Sequence, residues 1–253
     1  AYTYMGGIRS VIWSDLIQLI VYVGAALAVI IYLLGQIPAD FSQIMHVLEN
    51  PGPEQDSKLT LLDFSLDFSP AGTFSFWACI TGFVLLNIGA FGLDQDMTQR
   101  VLTCKNAKQG SQAMVNSIIF SLPIVLIFMT IGLLLYVFYQ RPDLMGVEGQ
   151  DVVQSFNGEN VTIFMYYVLN EMPAGLRGLV TVGVVAAALS TLNSGLNSMS
   201  SVATQDLYKP WKEARDGQQD DVHYVKVGRF GMAIAAVALG SMGILCFYWQ
   251  QYT

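Results

Sequence analysis

Long apolar stretches alternate with shorter polar ones along the chain, at the spacing of membrane spans. Five runs, roughly residues 10–35, 71–93, 112–138, 176–203 and 230–249, approach or exceed the ~20 apolar residues that carry an α-helix across a bilayer. The pattern predicts an all-α polytopic membrane protein with about five transmembrane helices, in contact with lipid. A mean hydropathy of +0.48, with only 12% charged residues, excludes an ordinary soluble domain.

Within this frame the polar positions are informative. Asp40 to Glu49 reads as a short amphipathic helix outside the spans, with Phe41, Ile44, Met45 and Leu48 on one side and Pro51-Gly-Pro53 ending it. Gly89 and Gly92 weaken the second run, which also holds the amide of Asn87. Pro123 removes a hydrogen bond from the third and predicts a kink. The fifth run, of Gly, Ala, Met and Leu, predicts contact with lipid and neighbouring helices.

Charge orients the spans. If the first enters from the cytoplasm, nine basic residues (Arg9, Arg100, Lys105, Lys108, Lys209, Lys212, Arg215, Lys226 and Arg229) lie inside and three (Lys58, Arg141 and Arg177) outside. Residues 94–111 and 204–229 are then cytoplasmic, and 36–70 and 139–174 extracytoplasmic. The net charge of −7 resides mostly in those two outer loops, and no nucleic-acid partner is expected. Cys79, Cys104 and Cys246 match no zinc or redox spacing; Cys79 and Cys246 are expected to pack in apolar segments. His46 and His223 stand alone and are expected at the surface. The absence of an initiator Met and of a signal peptide suggests an internal piece of a longer protein.

Candidate chemistry centres on the fourth run. At 100° per residue, Ala187, Ser190, Thr191, Ser194, Ser198, Ser201 and Gln205 share about a third of the helix circumference. One reading is close helix packing, in which small residues share hydrogen bonds. The other is a cation site, because the Ala187 carbonyl and the Ser190 and Thr191 hydroxyls point the same way and offer three oxygens to sodium. Asp15, the acid of the first span, costs ~2.5–3.5 kcal/mol at a helix centre. It is either an interfacial residue paired with Arg9 or capping a neighbour, or a group facing the serine stripe.

Gly175-Leu-Arg-Gly-Leu179, Ala187-x-x-Ser-Thr191, Ser194, Asn197-Ser198 and Asp206-Leu-Tyr-Lys209 resemble the eighth core helix of the sodium/solute symporter family. Trp13-Ser-Asp15 resembles its fifth, and Asp94-Gln-x-x-x-Gln-Arg100 its sixth. The resemblance implies a LeuT-like inverted-repeat fold, with residues 1–253 part of one transmembrane transporter domain supplying core helices five to nine. Helices missing from this sequence, in the same parent chain, are the implied partners. Sodium is the implied coupling ion, held by Ala187, Ser190 and Thr191. A second sodium site would draw on Asp15, Ser190 and Ser194, with Asn193 where a hydroxyl is usual. Substrate would face Asn87 and Phe91, and an inner gate would hold Asp94, Gln95 and Arg100; as interfacial residues, Asp94 and Arg100 also read as helix caps. Phe120 stands where the sugar-transporting branch has Lys, which counts against a familiar hexose. The implied function is sodium-coupled symport of a small polar organic solute by alternating access, in a bacterial inner membrane. The alternative is the membrane sensor of a signalling kinase on the same scaffold. No catalytic residue is assigned, and an enzyme is not expected.

Overall fold

The computed structural model describes residues 2–51, 57–60, 62–66, 75–145, 155–156 and 159–250. Residues 71–74 of the second predicted span and Pro53 lie outside them, and the side chain of Arg9 is not described. The described chain is helical apart from a minimal antiparallel ladder, β1 (Ser155–Phe156) against β2 (Glu159–Asn160). Four helices are long and apolar enough to cross a membrane, and a bent pair makes up to five. The chain is an integral membrane protein.

The first helix, α1 (Tyr2–Gln36), ends just before Ile37-Pro38, where proline disfavours helical geometry in the residue that precedes it. A short α2 (Phe41–Glu49) follows, and the Gln43 side chain reaches back to accept from the Asp40 N–H at 3.0 Å. Its buried face is Ile44, Val47 and Leu48, whereas Phe41 and Met45 are exposed. This corrects the expected stripe: the helix leans on the ends of its neighbours, so its contact face is rotated toward Val47.

The second span is not one regular helix. It comprises α3 (Phe76–Ala78), a π-helical turn at Cys79–Phe83 and α4 (Val84–Gly92). It then bends by 54° into α5 (Gln95–Leu102). The break follows Gly92. Asp94 there has an extended backbone, and its carboxylate accepts from the N–H groups of Asp96 and Met97 at 2.7 and 3.2 Å. An acceptor at that position satisfies the orphan donors of a new helix, so the chain stops and restarts there.

Next, α6 (Ala107–Gln140) is capped by Asn106 and runs unbroken through Pro123. After α7 (Pro142–Met145), Thr162 caps α8 (Ile163–Asn170). The fourth span, α9 (Ala174–Val202), continues past its predicted end through a π-helical segment at Ala203–Tyr208 into α10 (Lys209–Asp216). Gly217, at φ 77°, stops it in a conformation that side chains with a Cβ resist. The last helix, α11 (Asp221–Gln250), starts nine residues before its apolar run because polar residues can continue a helix beyond the membrane.

α1 and α9 pack along most of their length, running in opposite directions. Ser190 meets Asp15, Gly183 meets Tyr22 and Ala25, and Tyr167, ahead of α9, meets Gln36. The core lies at one end of the bundle, where Val29 and Leu33 of α1 and the adjoining Ile37 meet Leu134 and Val137 of α6, Tyr167 and Val168 of α8, and Met172. Much of α4 and α11 is apolar and exposed. Cys246 lies on that outward surface of α11 rather than in packing, while Cys79 is half-buried.

Candidate functional site

The serine stripe of α9 meets α1 and α5 near the bend that follows α4. Ser190 donates its hydroxyl hydrogen to Asp15 Oδ1 at 2.8 Å. Arg100 Nη2 lies 2.9 Å from Asp15 Oδ2 and donates to Ser194 Oγ at 2.6 Å. Arg100 Nε donates to Asp96 Oδ2 at 3.2 Å, one helical turn earlier on α5. The Asp15 side chain is only 13% exposed, and both of its oxygens are bonded. A carboxylate so far out of water requires such partners, because an unpaired buried charge is costly.

The three-oxygen set adjoins this network. Thr191 Oγ1 donates to the Ala187 carbonyl at 3.3 Å, and each oxygen keeps a lone pair for a further partner. Ala187 and Thr191 are exposed, whereas Ser190 is half-buried and is common to both sets. Asn193 and Ser194 are buried. A cleft of about 770 Å³ is lined by Asp94, Gln95, Arg100, Ser190, Thr191 and Ser194 among others. The fold therefore gathers the predicted gate residues and much of the predicted ion set into one space. Ser198 lines the same cleft, and its buried Oγ has no partner.

Other predicted residues lie apart. Asn87 and Phe91 line a separate, largely apolar groove of about 850 Å³ with Phe76, Phe83 and Ile88. The Asn87 amide donates to the Phe83 carbonyl at 2.7 Å, at the end of the π-helical turn, where the regular helix pattern is interrupted. Asp94 is exposed and caps α5, while its side chain borders the cleft. His46 is exposed, whereas His223 is half-buried beside the Tyr208 hydroxyl at 3.0 Å.

One contributor, Asp96, and one contact between two motif residues escaped the sequence reading. Asp96 holds Arg100 from the same helix, and the Asp96-x-x-x-Arg100 spacing was its available signal. The Asn197 amide donates to Gln99, tying α5 to α9; no spacing between residues so far apart announces it. Among the described residues no three His, Cys, Asp or Glu side chains converge. The oxygens at hand are hydroxyls, a carbonyl and the carboxylates of Asp15, Asp94 and Asp96, a hard-donor set suited to a hard cation rather than to copper.

The sodium:solute symporter family profile matches residues 1–248. The chain is 28% identical over 211 residues to the sodium/sialic acid symporter SiaT of Proteus mirabilis, covering 82% of this chain and 39% of the relative. It is 24% identical over 245 residues to the sodium/sialic acid symporter NanT of Aliivibrio fischeri, covering 96% and 44%. To the human sodium/iodide cotransporter it is 26% identical over 215 residues, covering 83% and 30%. The chain thus spans less than half the length of these relatives. No solved structure matches it.

Proposed function

The chain belongs to the sodium:solute symporter family, and from that premise we propose that it forms the fifth to ninth core helices of a sodium-coupled secondary active symporter. The transporter imports a small polar organic solute by alternating access across a bacterial inner membrane. The observation that carries this reading is the meeting of the Asp15 carboxylate with the Ser190 hydroxyl of the α9 stripe across two antiparallel helices. Packing alone gives small residues a reason to face one another. It gives no reason to place a carboxylate among them, since the acid adds an insertion cost.

In this reading the Ala187 carbonyl and the Ser190 and Thr191 hydroxyls supply half of a sodium shell. Another helix of the parent protein completes it. Asp15, Ser190 and Ser194, with Asn193, form a second sodium site. Asn87 and Phe91 face the solute, and Asp94, Gln95 and Arg100 border the inner mouth of the pathway. The end of the bundle holding Asp15 and Arg100 faces the cytoplasm, in line with the inward bias of basic residues. Each sodium moving through the full potential contributes ~2.3 kcal/mol per 100 mV to accumulation.

The test is the melting temperature of the intact parent transporter in detergent, in sodium against potassium at equal ionic strength, for wild type and Ser190→Ala. A ligand that binds only the folded state raises apparent stability. Sodium-specific stabilisation that the variant loses is the expected result. Equal melting temperatures of the wild type in the two salts would remove sodium from the reading.

A further inference from the structure

The guanidinium of Arg100 stands where the second sodium of the proposed function would stand. Its Nη2 touches Asp15 Oδ2 at 2.9 Å and Ser194 Oγ at 2.6 Å, two oxygens from two of the residues assigned to that ion. The other oxygen of Asp15 is taken by Ser190. A sodium bound by Asp15 and Ser194 therefore has to displace Nη2, because both cations need the same oxygens and like charges repel at contact distance.

Arg100 also has somewhere to go. Asp96 Oδ2 accepts from its Nε at 3.2 Å and lies on the same short helix, so the guanidinium keeps a counter-charge when it leaves Asp15. That helix, α5, is joined to α4 through a break bent by 54° at Leu93-Asp94. A single side chain thus links the ion-binding oxygens of α1 and α9 to an element that begins at a break.

We propose that Arg100 is a tethered competitor of the cation at Asp15 and Ser194, and that exchanging the two couples ion occupancy to the position of α5. With Arg100 docked, α5 is held against α1 and α9 and the site is neutralised from within. With sodium bound, Arg100 retires to Asp96 and α5 is released from α1. This assignment rests on the second sodium site of the proposed function. It adds that the site's apparent affinity is set by an internal rival.

The experiment is equilibrium binding of radioactive sodium to the purified intact parent transporter, for wild type, Arg100→Gln, Asp96→Asn, Thr191→Ala and the double variant Asp15→Asn/Arg100→Gln. If the docked arrangement holds about nine-tenths of the molecules, removing the competitor raises sodium affinity about tenfold. Arg100→Gln is expected to do so, and the double variant, which lacks the carboxylate, to lose that gain. Asp96→Asn keeps the competitor but removes its retreat, so it is expected to weaken sodium binding. Unchanged or weaker binding in Arg100→Gln overturns the proposal. Should that variant fail to fold, Asp96→Asn decides, and unchanged or tighter binding there overturns it equally. Thr191→Ala separates the two readings, because it weakens the first sodium site and leaves the Arg100 exchange in place. Absence of sodium binding in the wild type removes the symport reading and this one together.

Discussion

Ser190 Oγ donates to Asp15 Oδ1 at 2.8 Å, and through this bond one hydroxyl belongs both to the three-oxygen set of α9 and to the ion pair between α1 and α5. The donated proton leaves the Ser190 lone pairs available to a cation. Asp15→Asn retains an acceptor for Ser190 and removes the charge that faces Arg100. The variant is expected to fold with a loss of about 1.5–3 kcal/mol, the range for a charged hydrogen bond. A loss near zero in denaturant unfolding of the intact protein would show that water already compensates the pair.

Gly183 is a point of close approach between α1 and α9. A Cβ there would lie 3.1 Å from the Ala25 Cβ and 3.3 Å from the Tyr22 Cα, closer than side chains normally pack. Gly183→Val is expected to destabilise by about 1–3 kcal/mol through overpacking. It should also separate Ser190 from Asp15, since both contacts lie on one helix pair. Melting temperature reads the first effect, and sodium-dependent stabilisation reads the second.

Tyr167 and Tyr139 are both buried in the aromatic cluster at the other end of the bundle, but only one uses its hydroxyl. Tyr167 donates to Gln36, whereas the Tyr139 hydroxyl has no partner. Tyr167→Phe is expected to cost about 1–2 kcal/mol, and Tyr139→Phe to be neutral or stabilising, because it removes an unsatisfied polar group. Burial also pushes the Tyr167 phenol up from its ordinary value. Stability therefore falls as pH rises above about 10, where unfolded tyrosines ionise and this one does not. Equal losses in the two variants would contradict the pairing.

Arg141 joins the segment after α6 to the one after α2. It binds Asp143 through two hydrogen bonds at 2.9 and 2.8 Å and the Pro51 carbonyl at 2.9 Å. The hydrogen bonds from Arg141 hold the Asp143 carboxyl below its ordinary range. A depressed folded value means the contribution is present above the unfolded value, about pH 4, and is lost as pH falls through the folded one. Asp143 is exposed, though Arg141 is half-buried, so Asp143→Asn should cost no more than about 1 kcal/mol, and less at high salt. Its effect should shrink as pH falls below about 4, which thermal melts over a series of pH values from 7 downward will show.

The number and approximate positions of the membrane helices follow from the sequence, because each is an apolar run long enough to satisfy its own backbone within a bilayer. The serine stripe was equally readable, since side chains three and four residues apart on a helix share a face whatever lies opposite. Boundaries were less so. Hydropathy marks the apolar part of a helix, while hydrogen bonding carries α9 on to Tyr208 and Asp216 and starts α11 at Asp221. The break after Gly92 was half visible in its glycines, but the carboxylate of Asp94 turns it into a helix start.

What stands opposite the stripe was decided only by tertiary structure. Asp15 had two readings along the chain, an interfacial acid or a partner of α9, and the antiparallel register of α1 and α9 brings it to Ser190. Arg100 read as part of a gate, yet the bend between α4 and α5 turns its guanidinium onto Asp15 and Ser194. The reason is physical: periodicity along a helix is a local property of the backbone. Which charge meets which hydroxyl depends on the relative rotation and register of helices far apart in sequence, and that is set by packing at sites such as Gly183.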